Sequence, residues 1–138
     1  DLGFQPSFEN VNIRPGKPTF AGMLDTIPLI GLPGNPVSAY VCAQLFVIPF
    51  MLHLTLNKRL FLKHSWAKLK RDLPRNGVRQ HFMRARIVKK NCGLVVSPNQ
   101  RQDSSLVDVL SKSNCLIVRP PNERAKDKGE MVKIIKLL

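Results

Sequence analysis

The segment IGLPGNPVSAY, Ile30 to Tyr40, places two prolines around a Gly-Asn pair at the start of a long apolar run. Asn35 is a residue type that caps helices, because its side chain accepts hydrogen bonds from the first free backbone N–H groups. Pro36 suits the first helical position, and Pro33 and Gly34 suit a tight turn before it. The pattern predicts a strand-to-helix junction whose free N–H groups and positive dipole end are able to bind an anion. A rigid turn without a ligand explains the same residues.

A second candidate for anion chemistry is the stretch VNIRPGKPTF, Val11 to Phe20. It reads as a short strand that ends in a Pro-Gly turn. Arg14 and Lys17 are its two cations, and Pro15 and Pro18 restrict the backbone beside them. These cations are either ligands for an anion or ordinary surface charges.

Charge is distributed unevenly along the 138 residues, which carry a formal net charge of +13. Residues 1–57 hold two basic and three acidic residues, whereas residues 58–138 hold 20 basic and six acidic ones. The shift predicts a domain boundary near Asn57–Lys58 and an anionic partner for the second half, such as nucleic acid, a membrane or a phosphorylated small molecule. A solvated basic surface is the alternative.

Cysteine and histidine residues give no sign of a metal or disulfide framework. Three cysteines occur without a CxxC pair, and no two of the three histidines have metal-ligand spacing. We therefore expect no metal site and a reducing, cytoplasmic location.

The segment from Thr26 to Asn57 contains no charged residue and is long enough to span a bilayer. The prolines at its start divide it into a short strand and a helix from Pro36 to about Leu56. A helix that is apolar on most sides is buried or lies in a dimer interface, so we expect no membrane partner. Pro49 should kink or split this helix.

After residue 58 the pattern changes to short strands with polar connections. The strand candidates are SWAKLKRDL, VRQHFMRARIVKK, CGLVVSP, CLIVRPP and EMVKIIKLL, with a short helix at Gln102 to Asn114. Five strands within about 75 residues predict a small, partly closed β-barrel.

Several motifs together resemble the molybdopterin molybdotransferase family, of the MoeA and gephyrin E-domain type. They are GLPGNPVSA (31–39), NIRPGKP (12–18), HFMRARI (81–87), QDSSLVDVLSKSNCLIV (102–118) and GEMVKI (129–134), in family order over the whole chain. The resemblance implies an α/β + β architecture. Residues 1–58 would be the C-terminal half of a doubly wound, molybdopterin-binding α/β domain, and residues 59–138 a β-barrel-like domain.

The activity that the resemblance implies is insertion of molybdenum from molybdate into adenylated molybdopterin (molybdopterin-AMP), with release of AMP. Family members use Mg²⁺, are homodimers, and have their cleft between the α/β domain of one subunit and the β domain of the other. This chain would be a C-terminal part of the enzyme, inactive by itself. A molybdopterin adenylyltransferase is a further partner that the resemblance suggests.

Carried over residue by residue, the resemblance implies eight substrate-binding residues: Arg14, Lys17, Pro33, Gly34, Asn35, Pro36, Arg84 and Ser104. The family's acidic catalytic residues and magnesium ligands lie upstream, so no catalytic residue is assigned here. Two positions depart from the family pattern, with Asn10 in place of a lysine and Asp103 in place of a glycine.

A different class of function, a nucleic-acid-binding β-barrel, would also explain the basic second half. Its aromatic content argues against it, because only Phe61, Trp66 and Phe82 are available there to stack on bases. Salt-dependent binding to a single strand would distinguish the two functions. A scaffold role, as in the gephyrin branch, has no peptide groove to support it in the sequence.

Overall fold

The computed structural model describes residues 3–56, 62–91, 93–99, 102 and 110–137. Within these residues nine strands and one interrupted helix follow each other along the chain. The strands form a three-stranded sheet and a six-stranded sheet, and the second sheet closes on itself.

The second half of the chain is a closed five-stranded β-barrel, as the sequence predicts. Its strands are β5 (His64–Leu69), β6 (Gln80–Lys90), β7 (Gly93–Pro98), β8 (Cys115–Arg119) and β9 (Met131–Lys136). They neighbour each other in the order β6-β7-β5-β9-β8, and pairing of β8 with β6 completes the ring. Strands β5 and β7 are parallel, whereas the other pairs of the ring are antiparallel.

Alternation along the strands fills the barrel. Met83, Ala85, Val96, Ile117 and Ile134 are buried together in one apolar cluster. Strand β8 is buried on both faces, whereas exposed and buried residues alternate towards the end of β5, so a shift of β5 by one residue would turn its core side chains outward. The barrel's closure also removes the free strand edges that an open sheet of this size would expose.

The first half has a three-stranded antiparallel sheet that the sequence reading only partly predicts. Its strands are β1 (Phe4–Glu9), β3 (Phe20–Leu24) and β4 (Ile27–Gly31), in the order β1-β3-β4. The sequence analysis assigns no strand to residues 1–10 or to β3. The signal was weak because β1 has no buried residue and therefore no alternating pattern. Strand β4 lies at an edge of the sheet, a position that tolerates Pro28.

Gly22 explains how β1 and β3 approach each other so closely. A Cβ atom built on Gly22 would lie 2.2 Å from the carbonyl oxygen of Gln5 and 2.6 Å from the ring of Phe4. No other residue type fits this space without separating the strands.

The predicted strand-to-helix unit is confirmed, and the helix is divided as Pro49 suggests. It consists of α1 (Pro36–Cys42), a π-helical segment (Ala43–Val47) and α2 (Ile48–Leu56). In the π-helical segment the N–H of Ile48 donates to the carbonyl of Ala43. The wider turn lies directly before Pro49, which lacks an N–H and would obstruct a regular α-helical turn there.

Burial along this helix within the chain is confined to its first half, and the dimer interface that was the alternative for its apolar surface stays a prediction. Val37, Val41 and Cys42 in α1 are fully buried, whereas α2 has no buried residue and exposes Met51 and Leu54. By length and composition alone, the helix from Pro36 to Leu56 is long and apolar enough to cross a membrane. The core helix of a folded protein meets the same criteria.

A second apolar cluster joins α1 to the outer wall of the barrel. Ile13, Val41, Cys42 and Leu45 from the first half pack with residues of β6, β8 and β9, namely Phe82, Leu116, Val118 and Ile135. The predicted boundary between residues 58 and 59 lies outside the described residues. The described residues before and after this boundary pack in the same apolar cluster. This packing fixes the position of the candidate anion-binding residues of the first half relative to the barrel.

Candidate anion-binding site

The N-terminus of α1 is capped by Asn35, as predicted. The Oδ1 atom of Asn35 accepts hydrogen bonds from the backbone N–H groups of Val37 and Ser38, each at 3.1 Å. The backbone N–H of Ala39 donates to the carbonyl of Asn35 at 2.8 Å. Because the cap already uses two of the free N–H groups, fewer remain at this terminus for an external anion.

The neighbours of Asn35 have different exposures. Pro33 is buried, whereas Gly34 and Pro36 are exposed. A Cβ atom at Gly34 would meet nothing within 4 Å, so no contact within the chain requires glycine at this position. The predicted turn is therefore present, and the space beside Gly34 is open.

The Pro-Gly loop that carries Arg14 and Lys17 packs against α1. Gly16 has a positive φ of 113°, and a Cβ atom there would lie 2.3 Å from the Cys42 sulfur. The Thr19 hydroxyl donates to the Gly16 carbonyl at 2.7 Å and lies 3.1 Å from that sulfur. Burial raises the pKa of the Cys42 thiol, and the hydrogen bond from Thr19 opposes this rise. Cys42 is therefore a neutral packing residue rather than a thiolate.

Strand β2 (Ile13–Arg14) attaches the same loop to the barrel. It pairs in parallel with β6, with Ile13 opposite Gln80 and Arg14 opposite His81. The N–H of Gln80 donates to the carbonyl of Asn12 at 3.1 Å. The pairing brings the exposed Arg14 to the mouth of the barrel where β5, β7 and β8 end.

A cavity of about 450 Å³ lies at this mouth. Its lining combines apolar surface with polar and basic side chains, from β2, from the loop between β5 and β6, from the start of β6, and from the ends of β7 and β8. The lining residues that carry charge or a hydrogen-bonding side chain are Arg14, Arg71, Asp72, Arg75, Asn76, His81, Asn99, Gln102 and Arg119. Four arginines face one aspartate, so the cavity suits an anion.

His81 is buried in this wall and is neutral at physiological pH. Burial is the main cause that lowers the pKa of His81 to about 4, and the positive charges of Arg14, Arg84, Arg119 and Arg79 lower it further. Burial and the neighbouring positive charges thus both lower the pKa of His81. A neutral imidazole offers one donor and one acceptor to whatever enters the cavity.

Arg119 has a structural role in the cavity wall. Its guanidinium is 1% exposed and forms an ion pair with Glu123. It also donates to the carbonyls of Pro74 at 3.1 Å and Arg124 at 2.9 Å. These contacts join the end of β8 to the loops on both sides, so most donors of Arg119 are already used.

Arg84, one of the predicted substrate-binding residues, is almost completely buried, at 1% exposure. The side chain of Gln102 holds its backbone, because Arg84 N–H donates to Gln102 Oε1 at 2.9 Å and Gln102 Nε2 donates to Arg84 O at 2.8 Å. The Gln102 side chain thus makes the two backbone hydrogen bonds that a neighbouring strand would make with Arg84. Ser104 lies outside the described residues, as does most of the short helix predicted at Gln102 to Asn114.

The predicted site residues are only partly brought together. Among the described ones, Arg14 lines the cavity, and Lys17 is exposed on the same loop. Within the described residues no group of three or more His, Cys, Asp or Glu side chains is placed to hold a metal ion. Asp25 occupies the turn between β3 and β4, and Asp72 accepts a hydrogen bond from the backbone N–H of Lys128.

Sequence reasoning missed Arg71, Arg75, His81 and Arg119 as parts of one site. The local signal was available in KLKRDLPRNG (68–77), where cations alternate with turn residues. It was read as a charged strand and turn, because nothing in the sequence shows that β5 ends beside β2. Only the closed barrel brings these positions together.

Fold and site define a class of protein: a small closed β-barrel with a basic cavity at one mouth and a helix packed on its wall. The family model described as the MoeA C-terminal region (domain IV) matches residues 66–137, just over half of the chain. The chain belongs to this family.

Relatives and solved structures agree with this assignment. The chain is 31% identical over 134 residues to the molybdopterin molybdenumtransferase of Bacillus subtilis, covering 97% of this chain and 31% of that protein. It is 37% identical over 123 residues to the molybdenum cofactor synthesis protein cinnamon of Drosophila melanogaster, covering 87% of this chain and 20% of that protein. A molybdopterin biosynthesis MoeA structure from Pyrococcus horikosii matches with a TM-score of 0.78 and 26% identity, over 98% of this chain and 32% of that one. The chain therefore spans about a third or less of these relatives.

Proposed function

We propose that this chain acts in molybdenum cofactor biosynthesis, as the part of a molybdopterin molybdotransferase that supplies one wall of the substrate cleft. The reaction would be insertion of molybdenum from molybdate into adenylated molybdopterin, with release of AMP. The names of the curated relatives support the class of reaction. The observation that carries the proposal is the position of Arg14, on a rigid loop at the edge of the basic cavity.

The chemistry expected of these residues is binding and orientation of anions. Arg14 offers a planar fork of donors that suits the oxygens of molybdate or a phosphate. Lys17 adds a second cation on the same loop, and the open side of Gly34 lets a ligand approach the capped helix end. These groups would hold the substrate while other parts of the enzyme carry out bond exchange.

Magnesium does not fit the residues described here. Asp72 accepts a backbone hydrogen bond, Glu123 and Glu130 form ion pairs, and no suitable group of ligands lies among the described residues. We therefore assign no step through a metal to this chain. Homodimer formation, an adenylyltransferase partner, a cleft shared between subunits and a cytoplasmic location remain parts of the proposal.

The nucleic-acid alternative gains no support from the structure. Phe82 is only 7% exposed because it packs under α1. Trp66 is the exposed aromatic residue of the described barrel. One exposed ring does not form a row on which successive bases stack.

Two measurements test the proposed function. The first is binding of adenylated molybdopterin to the chain, followed by calorimetry. The second is molybdate-dependent AMP release by a chimaera in which this chain replaces the matching part of the Bacillus subtilis enzyme. Arg14→Ala should weaken binding about tenfold or more by removing charge-assisted hydrogen bonds, and Arg14→Lys should restore part of it.

Lys89→Ala is the matched control, because it removes one charge from an exposed position of β6 outside the cavity. Equal affinities for the wild type and Arg14→Ala would contradict the assignment of Arg14. An absence of binding to the wild type would contradict the proposed function as a whole.

A further inference from the structure

The loop between β5 and β6 carries two exposed arginines that the proposed function does not use. Arg71 and Arg75 line the basic cavity together with Arg14, from a different side of the barrel mouth. We propose that this cavity is a binding site for a phosphate or pyrophosphate group, held by Arg71, Arg75 and Arg14. The assignment of that phosphate to the adenylated pterin rests on the proposed function. The existence of the phosphate site does not.

This loop is held in place by hydrogen bonds of one residue between the two arginines and of one directly after Arg75. Leu73 and Lys126 exchange two hydrogen bonds, of 2.7 and 2.9 Å. The side chain of Asn76 donates to the carbonyls of Arg79, Arg119 and Pro120. Arg71 and Arg75 therefore start from fixed backbone positions, which lowers the ordering cost of binding.

The charges at the cavity are not neutralised within the described residues. Arg119 is paired with Glu123, and the Asp72 carboxylate accepts a hydrogen bond from the backbone of Lys128. No ion pair of the described residues includes Arg14, Arg71 or Arg75. Arg71 contacts only a neutral partner, the Ser97 hydroxyl, at 3.3 Å. Three cations thus remain available to an incoming anion.

A tetrahedral oxyanion such as phosphate fits this arrangement better than a carboxylate does. A carboxylate presents two oxygens, which one arginine fork can satisfy, whereas a phosphate presents several oxygens in a tetrahedral arrangement. Arginines from separate elements around one mouth can each contact a different oxygen. The cavity of about 450 Å³ is large enough for a pyrophosphate, and the neutral His81 in its wall adds a hydrogen-bonding group without opposing charge.

Pyrophosphate and inorganic phosphate are the probes of choice, with sulfate and molybdate as competitors. Calorimetry on the full chain should show saturable binding of pyrophosphate. Arg71→Ala and Arg75→Ala should each weaken it about tenfold, and Lys89→Ala should leave it within about twofold because that residue lies outside the cavity. In NMR titrations, bound pyrophosphate should raise the pKa of His81, because an anion nearby stabilises the imidazolium.

Three results would overturn the proposal. The first is an equal loss of pyrophosphate affinity in Lys89→Ala, which would indicate diffuse charge attraction. The others are tighter binding of molybdate than of pyrophosphate, and no saturable binding of pyrophosphate. Weakening of adenylated-pterin binding by Arg71→Ala would assign the phosphate to the substrate. Weakening of free pyrophosphate binding alone would assign it to a separate ligand. AMP release by the chimaera is an independent readout, so the proposed function and this site can fail separately.

Discussion

Replacing Asn35 by alanine should destabilise the protein through the N-terminus of α1. Asn35 Oδ1 accepts from two backbone N–H groups at 3.1 Å, and the Ser38 hydroxyl lies 3.4 Å from the same atom. The helix end is partly buried, because Val37 and Ser38 are 0% and 6% exposed. Water therefore replaces the lost acceptor poorly. We expect a loss of about 1 to 2 kcal/mol, the upper part of the range for N-caps.

Chemical denaturation measures this loss as a change in the free energy of unfolding. Asn35→Asp is the matched control, because its carboxylate keeps the acceptor and also favours the positive end of the helix dipole. Asn35→Gly should cost only a few tenths of a kcal/mol, because glycine adopts the cap conformation. If Asn35→Ala and Asn35→Asp unfold at the same denaturant concentration, the side-chain cap does not stabilise α1 and the reasoning is wrong.

Two further predictions concern the Pro-Gly loop and the cavity wall. Gly16→Ala should lower the free energy of unfolding by about 1 to 3 kcal/mol, because its φ is positive and the new Cβ would collide with the Cys42 sulfur. Gly34→Ala, which meets nothing within 4 Å, should stay within about 0.5 kcal/mol in the same melts. The pKa of His81 in the folded protein is about 4, below the ordinary histidine value of 6.5. The free energy of unfolding should therefore be unaffected by His81 above pH 6.5 and fall by at most about 3 kcal/mol as the pH drops to 4, because the unfolded chain binds the proton more tightly. Denaturation at several pH values should show this loss in the wild type and less of it in His81→Gln, and an NMR pKa of His81 near 6.5 would contradict it.

Local rules predicted the strand-to-helix junction because its determinants are adjacent in sequence. Asn35 and Pro36 specify a cap and a first turn by themselves. The barrel strands were equally accessible, since apolar and polar residues alternate around Met83 and Ala85 in the sequence, although the structure buries both faces of β6 there. By contrast, β1 carries polar and exposed residues and is a strand only because β3 offers it a partner.

The parts that sequence reasoning missed depend on contacts between distant segments. Composition predicted a helix that is buried or lies in a dimer interface, and within the chain only α1 and the π-helical segment meet the barrel, whereas α2 has no buried residue. The near-complete burial of Arg84 is likewise not signalled by its neighbours in sequence. The basic cavity joins β2 to the ends of three barrel strands, a combination that no local pattern contains.

The packing of the Pro-Gly loop against the helix and the barrel affects how an anion would associate with it. Gly16 packs on the helix, the neighbouring strand pairs with the barrel, and two prolines flank the glycine and lysine between them. The conformational entropy of this segment is therefore lost when the chain folds, before any ligand arrives. Association should behave as a rigid-body encounter, with a rate set by long-range attraction and ionic strength and with little entropy lost by the backbone.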